Sequence, residues 1–311
     1  MSKSFSTYSN QLIHLRDSRK LTISDESFAL ACLKKYGYYN LINGYKKPFK
    51  SPDGSYSENA SFEDIVELYR FDAKLRELFL RYLLLVESKI KSVTSYHFCC
   101  KHGTLQDSYL DVNNYKYKSP NIGNINFLVS TLDKELKSDK PYLEHARTKH
   151  NNVPLWVLVN AITFGRVYKI YQFSSDDVRS AIAKEYDHLN EKQLETVLRI
   201  ANDCRNICAH GEPLYTFSLR RYSIHDTLIH GKLKIPKSAA GMYRYGKSDL
   251  FSVVVALRYI LDNDDFKSFK RELARTIDSY KNGTKAAAPA DLLDIMGFPF
   301  NWKDITRFRA F

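Results

Sequence analysis

Residues 61–103 read SFEDIVELYRFDAKLRELFLRYLLLVESKIKSVTSYHFCCKHG, and this pattern predicts one long helix. Apolar residues recur along it at spacings of three and four: Leu68, Phe71, Leu75, Leu78, Phe79, Tyr82, Leu83, Val86 and Ile90. A helical period of 3.6 residues places them on one face, which packs against a core. Ser61 with Asp64 is a variant of the capping box that begins a helix, and Gly103 is a typical stop. We therefore expect a core helix from Ser61 to about Cys100.

Helical patterns also dominate the rest of the chain. Helices are predicted from Pro154 towards Gly165 with a continuation through Tyr168 and Tyr171, from Asn190 to His210, from Leu250 to Leu261, and from Phe266 to Tyr280. Pro154 suits a first helical turn, and Asn190 can form a capping box with Gln193. Alternating strand patterns are scarce, so we predict an all-α helical bundle.

The predicted core carries helical segments at both ends. Residues 1–59 form a helical segment with basic and aromatic residues, residues 60–222 the helical core, and residues 223–311 a helical extension. The loop-like stretch 224–248 is the best candidate for a boundary.

Composition indicates a soluble globular protein, since 44% of the 311 residues are hydrophobic and 26% are charged. No stretch reaches the roughly 18 uncharged apolar residues of a membrane-spanning helix. Met1 to Asn10 are polar and lack a basic-then-apolar leader pattern. We expect no membrane association and a cytoplasmic location.

The five cysteines predict neither a disulfide framework nor a metal site. An odd number leaves one unpaired, and a chain of this length does not need such bridges. Cysteine and histidine crowd two short segments, 97–102 and 204–210, but neither has the spacing of a structural zinc site. We expect reduced thiols, no metal and no cofactor.

A net charge of +12 favours polyanionic partners. Basic residues stand among aromatic ones in several places, and the candidate RNA contacts are Tyr45, Lys46, Lys47, Lys116, Lys118, Arg220 and Arg221. Cations neutralise phosphates while aromatic rings stack on unpaired bases, which favours single-stranded RNA. The ordinary alternative is that tyrosines pack the core and lysines solvate a face.

The run Arg205-Asn206-Ile207-Cys208-Ala209-His210 supplies residues suited to cutting RNA without a metal ion. RNA carries its own nucleophile, the ribose 2′-hydroxyl, and histidine exchanges protons near neutral pH. Arginine's planar fork can stabilise charge on the phosphate. Asn206 is a candidate to orient the phosphate or the imidazole, or simply a local capping partner. The alternative for the pair is equally ordinary: Arg205 in a surface ion pair and His210 capping the helix.

Spacing argues for a site shared by two chains. Residues five apart on a helix point about 140° away from each other, so Arg205 and His210 of one chain are poorly arranged around one phosphate. His210 lies in the last turn and can swing off the axis, and a two-fold axis beside the helix would bring two copies of each residue together. We therefore expect a homodimer.

Four blocks in order carry a resemblance to a known family. They are residues 39–49 (YNLINGYKKPF), 71–76 with 86–92 (FDAKLR and VESKIKS), 154–156 with 163–165 (PLW and TFG), and 205–215 (RNICAHGEPLY). The chain resembles the Abi-type abortive-infection proteins of the AbiD/AbiF kind, within the HEPN superfamily. The resemblance implies a HEPN helical core, a composite active site on a homodimer, and RNA cleavage in bacterial defence against phage. It also implies that a small noncoding RNA restrains the toxin.

The resemblance makes Glu87 a further candidate site residue. The chain also departs from the family pattern at one point. HEPN proteins often carry a polar residue on the helix facing the motif, so Glu87 is expected to hold Arg205 or orient His210. The alternative is an ordinary pair with Lys91, four residues on. Family members often have a basic or polar residue just after the motif histidine, whereas Gly211-Glu212-Pro213 follows here, and Glu212 could repel phosphate.

These features together predict a metal-independent endoribonuclease that acts as an abortive-infection effector. A non-catalytic RNA-binding protein, for example one that binds a small noncoding RNA, is the alternative. A DNA-binding regulator is a third hypothesis, although no obvious recognition helix is present.

Overall fold

The computed structural model describes residues 5–51, 53–118, 120–186, 189–283 and 289–307. Its α-helices are α1 (Tyr8–Ile13), α2 (Glu26–Tyr36), α3 (Phe62–His102), α4 (Gln106–Leu110), α5 (Ile122–Leu136), α6 (Pro141–His150), α7 (Leu155–Leu158), α8 (Phe164–Phe173), α9 (Asp176–Ala183), α10 (Glu191–His210), α11 (Leu228–Lys232), α12 (Leu250–Ile260), α13 (Asn263–Gly283) and α14 (Pro289–Ile295). Short π-helical turns cover His14–Ser18 and Tyr39–Asn43, and 3-10 turns cover Lys47–Phe49, Val112–Asn114 and Trp302–Thr306. These ranges contain isolated β-bridges but no strand, so the all-α prediction is confirmed.

Helix α3 has the predicted capping box and stop. The Asp64 backbone N–H donates to Ser61 Oγ at 3.2 Å, and the Ser61 N–H donates to Asp64 Oδ2 at 3.0 Å. The helix runs for 41 residues and ends at Gly103, whose positive φ of 90° favours glycine. Its apolar stripe is buried, and α7, α8, α9, α10 and α13 all pack against it.

Helix α10 also begins as predicted. Asn190 Oδ1 accepts from the Gln193 N–H at 2.9 Å, and Gln193 Oε1 accepts from the Asn190 N–H at 3.0 Å. A buried face that includes Leu194, Leu198 and Ala201 lies between α3, α8 and α12. The neighbours on three sides fix the direction in which α10 ends.

The helix predicted from Pro154 through Tyr171 is two helices, α7 and α8, so that prediction is wrong. Pro154 precedes α7 in extended conformation. The Asn160 side-chain amide donates to the Trp156 carbonyl at 2.9 Å and to the Val157 carbonyl at 3.3 Å, which closes α7. Thr163 is again extended and begins α8.

The C-terminal extension packs on the core helices. The Phe71 ring stacks on Tyr280 of α13 with centroids 4.5 Å apart, and Phe79 meets Phe269 edge-on at 5.1 Å. Buried residues of all three predicted segments form a single hydrophobic cluster. The stretch 224–248 contains the short helix α11 and is otherwise irregular. Within the part of the chain that the structure describes, every helix is too short or too polar to cross a membrane.

Candidate active site

The end of α10 is fixed by its backbone. The Glu212 N–H donates to the Ile207 carbonyl at 3.1 Å, and the Gly211 N–H reaches the Cys208 carbonyl at 3.4 Å. These bonds form a Schellman motif, with Gly211 in the left-handed region at φ 71°. His210 is exposed at this terminus, and its side chain makes no hydrogen bond to any residue that the structure describes. The imidazole is therefore open to a ligand.

A buried carboxylate anchors the chain just beyond His210. Asp72 of α3 is fully buried, and its two oxygens accept the N–H groups of Leu214 and Tyr215 at 3.0 and 2.7 Å. Arg76, one turn along α3, forms an ion pair with the same carboxylate. Burial raises the pKa of Asp72, while the Arg76 guanidinium and the donated hydrogen bonds favour the charged form. Losing one member of such a buried pair lowers the free energy of unfolding by about 3–5 kcal/mol. The segment that follows α10 is therefore held firmly against α3.

Tyr45 belongs to this network, which corrects its predicted role as an RNA contact. Its side chain is 1% exposed, and its hydroxyl donates to Asp72 Oδ2 at 2.7 Å while accepting from Arg76 Nη1 at 2.7 Å. Burial raises the pKa of Tyr45, with Asp72 adding to the effect. The ring is stacked at 5.5 Å on Tyr215 and cannot also stack on a base.

Arg205 is held by Glu87. Arg205 Nε donates to Glu87 Oε2 at 3.2 Å, and Lys91 Nζ lies 2.9 Å from Glu87 Oε1. Both interactions expected for Glu87 are therefore present at once. The Glu87 side chain is 9% exposed and that of Arg205 is 25% exposed. The two Nη groups of Arg205 make no hydrogen bond within the described residues, so the outer edge of the guanidinium is free for an anion.

The remaining motif residues lie on the same helix end without direct contact between them. Asn206 and His210 are exposed on the last turns of α10. In the described structure no hydrogen bond joins Arg205 to His210, in keeping with the divergence expected from their spacing. Glu87 contacts Arg205 and makes no hydrogen bond to His210 among these residues.

The predicted RNA contacts are spread over three places. Lys46 is half-buried with Nζ bonded to Asn43 Oδ1 at 2.7 Å, and Lys47 is exposed. Lys116 pairs with Asp176 at the start of α9, and Lys118 is exposed nearby. Arg220 and Arg221 are exposed on the segment that returns along α10, where the Tyr222 hydroxyl donates to Asp203 Oδ2 at 2.7 Å. The structure does not gather these residues into one surface.

Sequence reasoning missed Asp72 and Arg76 as site-supporting residues. An acidic residue next to the apolar Phe71, with an arginine four positions on, was the available signal. A similar i, i+4 pair on a helix is usually a surface ion pair, and only burial distinguishes this one.

The cysteines are free thiols. Cys204 and Cys208 are buried on α10, and burial, followed by the contact with Cys208, raises the pKa of Cys204. Among the described residues, no group of three or more histidine, cysteine, aspartate and glutamate side chains is placed to hold a metal ion.

The sequence model of one family, described as Abi-like protein, matches residues 31–216. This span is more than half of the chain. The chain belongs to the Abi-like protein family. The Abi-like region ends just past Tyr215, so it contains the whole motif, Glu87 and the Asp72 network. No curated protein and no solved structure matches the chain.

Proposed function

We propose that this Abi-like protein is a metal-independent endoribonuclease of the HEPN type, acting as an abortive-infection effector. One observation carries the proposal: Glu87 fixes Arg205 through Nε and leaves both Nη groups free, on the helix that ends at exposed His210. A guanidinium with a free fork can stabilise charge on a phosphate, and an open imidazole can exchange protons, which suits phosphodiester cleavage without a metal.

The proposed reaction uses the ribose 2′-hydroxyl as nucleophile. Oxygen attacks the adjacent phosphorus, and the bond to the 5′-oxygen of the next nucleotide breaks. One His210 takes the hydroxyl proton and another supplies a proton to the leaving oxygen, while Arg205 stabilises charge on the phosphate. The products are a 2′,3′-cyclic phosphate and a 5′-hydroxyl. Asn206 is proposed to orient the phosphate, and Glu87 is a positioning residue for Arg205.

A homodimer would supply the second histidine. Apolar side chains lie exposed on α3 and α7 beside the Glu87 to Lys91 pair: Leu84, Leu85, Tyr96 and Trp156, at 44 to 63% exposure. Lys91, Tyr96 and Trp156 line the same hollow of about 400 Å³. Burial of this dimer patch against its own copy would bring the two motifs to the same face of the dimer, across the two-fold axis from each other.

The decisive experiment is cleavage of total RNA by the purified protein, with mapping of the new ends. We expect 2′,3′-cyclic phosphate ends in the presence of EDTA, and loss of cleavage in Arg205→Ala and His210→Ala. Expression of the parent should arrest growth, and expression of either variant should not.

Two matched controls are available. His150 is exposed at the end of α6, before Asn151 in the left-handed region, and so imitates the setting of His210. Arg199 is an exposed arginine earlier on α10. His150→Ala and Arg199→Ala should retain cleavage. If the protein binds RNA tightly and in a salt-sensitive manner but leaves it intact, it is a non-catalytic RNA-binding protein and not an endoribonuclease.

A further inference from the structure

A cavity of about 800 Å³ lies in the N-terminal segment, between the π-helical turn after α1, the turn at Tyr39–Asn43 and the loop before α3. Its polar and aromatic lining includes His14, Arg19, Lys46, Lys50, Tyr38, Tyr39 and Tyr56. None of the described residues that line this N-terminal cavity is acidic. A concentration of positive charge without a lining carboxylate favours an anionic ligand.

The cations of the N-terminal cavity are held close together. Lys50 Nζ lies 3.5 Å from the centre of the Tyr56 ring and donates to the Gly54 carbonyl at 2.9 Å. Burial lowers the pKa of Lys50, and the nearby charges of Arg19 and Lys46 lower it further, against a smaller opposing effect of Asp53. A bound anion would relieve this repulsion.

An aromatic ring stands free at the same opening. Tyr39, which lines the cavity, is 75% exposed. Exposed rings beside cations are the usual platform for an unpaired base, because stacking does not depend on base identity. The cavity can therefore accept both the phosphate and the base of a nucleotide.

The N-terminal cavity is close to the end of α10. Asn43 and Lys46 line it and flank Gly44, whose carbonyl accepts from the Tyr215 hydroxyl at 3.0 Å. A Cβ on Gly44 would come within 3.1 Å of Pro213 Cγ, so the Gly44 backbone packs closely against the Pro213 ring. Pro213 is three residues after His210, at most about 11 Å along the chain, which a single RNA strand spans in a few nucleotides.

We propose that the N-terminal cavity binds one unpaired nucleotide of a single-stranded RNA, with its base on Tyr39 and its phosphate at Arg19, Lys46 and Lys50. The inference rests on the proposed function in taking RNA as the ligand, but it concerns binding and not cleavage. It makes the cavity the part of the protein that selects unpaired over paired RNA.

The test measures binding of a short fluorescein-labelled single-stranded RNA by anisotropy, using full-length His210→Ala protein so that the RNA stays intact. Tyr39→Ala should raise Kd about tenfold, and Tyr39→Phe, which keeps the ring, should bind like the parent. Arg19→Ala should weaken binding and reduce the slope of log Kd against log salt by about 0.7. The same RNA annealed to its complement should bind more weakly than the single strand.

Two control variants lie outside the cavity. Tyr142→Ala removes another exposed tyrosine, and Lys34→Ala removes an exposed lysine of α2. Both should bind like the parent. The inference is overturned if Tyr39→Ala binds like the parent, if the controls weaken binding equally, or if the parent binds no single-stranded RNA.

A parallel cleavage assay with His210 intact separates this inference from the proposed function. If the protein binds RNA through Tyr39 but does not cut it, the proposed nuclease activity is contradicted and RNA binding by the N-terminal cavity is supported. If the protein cuts RNA while Tyr39→Ala binds normally, RNA binding by the cavity is contradicted and the nuclease activity is supported.

Discussion

Glu87 has two basic partners, and only one of them belongs to the motif. Its Oε2 accepts from Arg205 and its Oε1 contacts Lys91, both within a side chain that is 9% exposed. A carboxylate shared in this way orients the arginine by one nitrogen and leaves the rest of the fork available. Its contribution to the proposed cleavage should therefore be separable from its contribution to stability.

We predict that Glu87→Gln lowers kcat about tenfold or more, because a charge-assisted bond that fixes Arg205 is worth about 1.5–3 kcal/mol. Lys91→Gln removes the other partner of the same carboxylate and leaves the Arg205 contact in place. It should lower the free energy of unfolding by about 1 kcal/mol and keep kcat. Steady-state cleavage of a defined RNA with urea denaturation measures both quantities, and equal losses of kcat in the two variants would contradict the assignment.

The sequence predicted residue contacts where they depend on local spacing. Both alternatives for Glu87 are present, since Lys91 is one turn away and the resemblance pointed to Arg205. Tyr45 was misjudged because its burial depends on Asp72, 27 positions away, and on Tyr215, far beyond it. Aromatic and basic neighbours in sequence do not reveal which ring points inward.

At the scale of the helix, α10 owes its end to Gly211. A Cβ added there would meet no atom within 4 Å, so the only cost of a side chain is the left-handed backbone at φ 71°. That conformation is required by the Schellman motif, which sets the position of the preceding His210.

Gly211→Ala should therefore lower the free energy of unfolding by about 1 kcal/mol and reduce kcat by shifting His210. Gly123 offers the matched control, since it lies inside α5 with ordinary φ and open space around its Cα. Gly123→Ala should be neutral or stabilise by up to about 1 kcal/mol. Thermal denaturation and cleavage rates check the pair, and a Gly211→Ala protein as stable as Gly123→Ala would argue against the strain.

Caps made the long helices predictable. Ser61 with Asp64, and Asn190 with Gln193, are local pairs whose bonds the structure reproduces. The helix from Pro154 was misjudged because its apolar pattern continues through the break between α7 and α8, where the Asn160 amide donates to the Trp156 carbonyl. Hydrogen bonds from one side-chain amide to carbonyls of its own turn do not change the spacing of apolar residues. The apolar pattern therefore cannot reveal the break between α7 and α8.

At the scale of the whole molecule, the proposed activity needs two chains. The dimer patch of Leu84, Leu85, Tyr96 and Trp156 is an apolar surface beside the Glu87 pair, in a protein of net charge +12. Two such positively charged chains associate only if buried apolar area outweighs their repulsion.

We predict that Leu84→Glu combined with Leu85→Glu converts the protein to a monomer and abolishes cleavage, while its far-ultraviolet circular dichroism stays helical. Leu105, which is 61% exposed and is not one of the four patch residues, supplies the control substitution Leu105→Glu. Sedimentation velocity of the three proteins gives the answer. A fully active monomer, or a dimer that survives both substitutions, would contradict the two-chain site.

The bonds from Asp72 to Leu214 and Tyr215 span 142 and 143 positions of sequence. During translation, Asp72 leaves the ribosome long before Leu214 and Tyr215 do. Glu87 likewise emerges 118 residues before Arg205. A nascent chain therefore cannot hold its histidine in place until Tyr215 has emerged. We expect the proposed site to be inactive through most of its own synthesis, so that the messenger and the ribosome producing it are not exposed to the proposed nuclease.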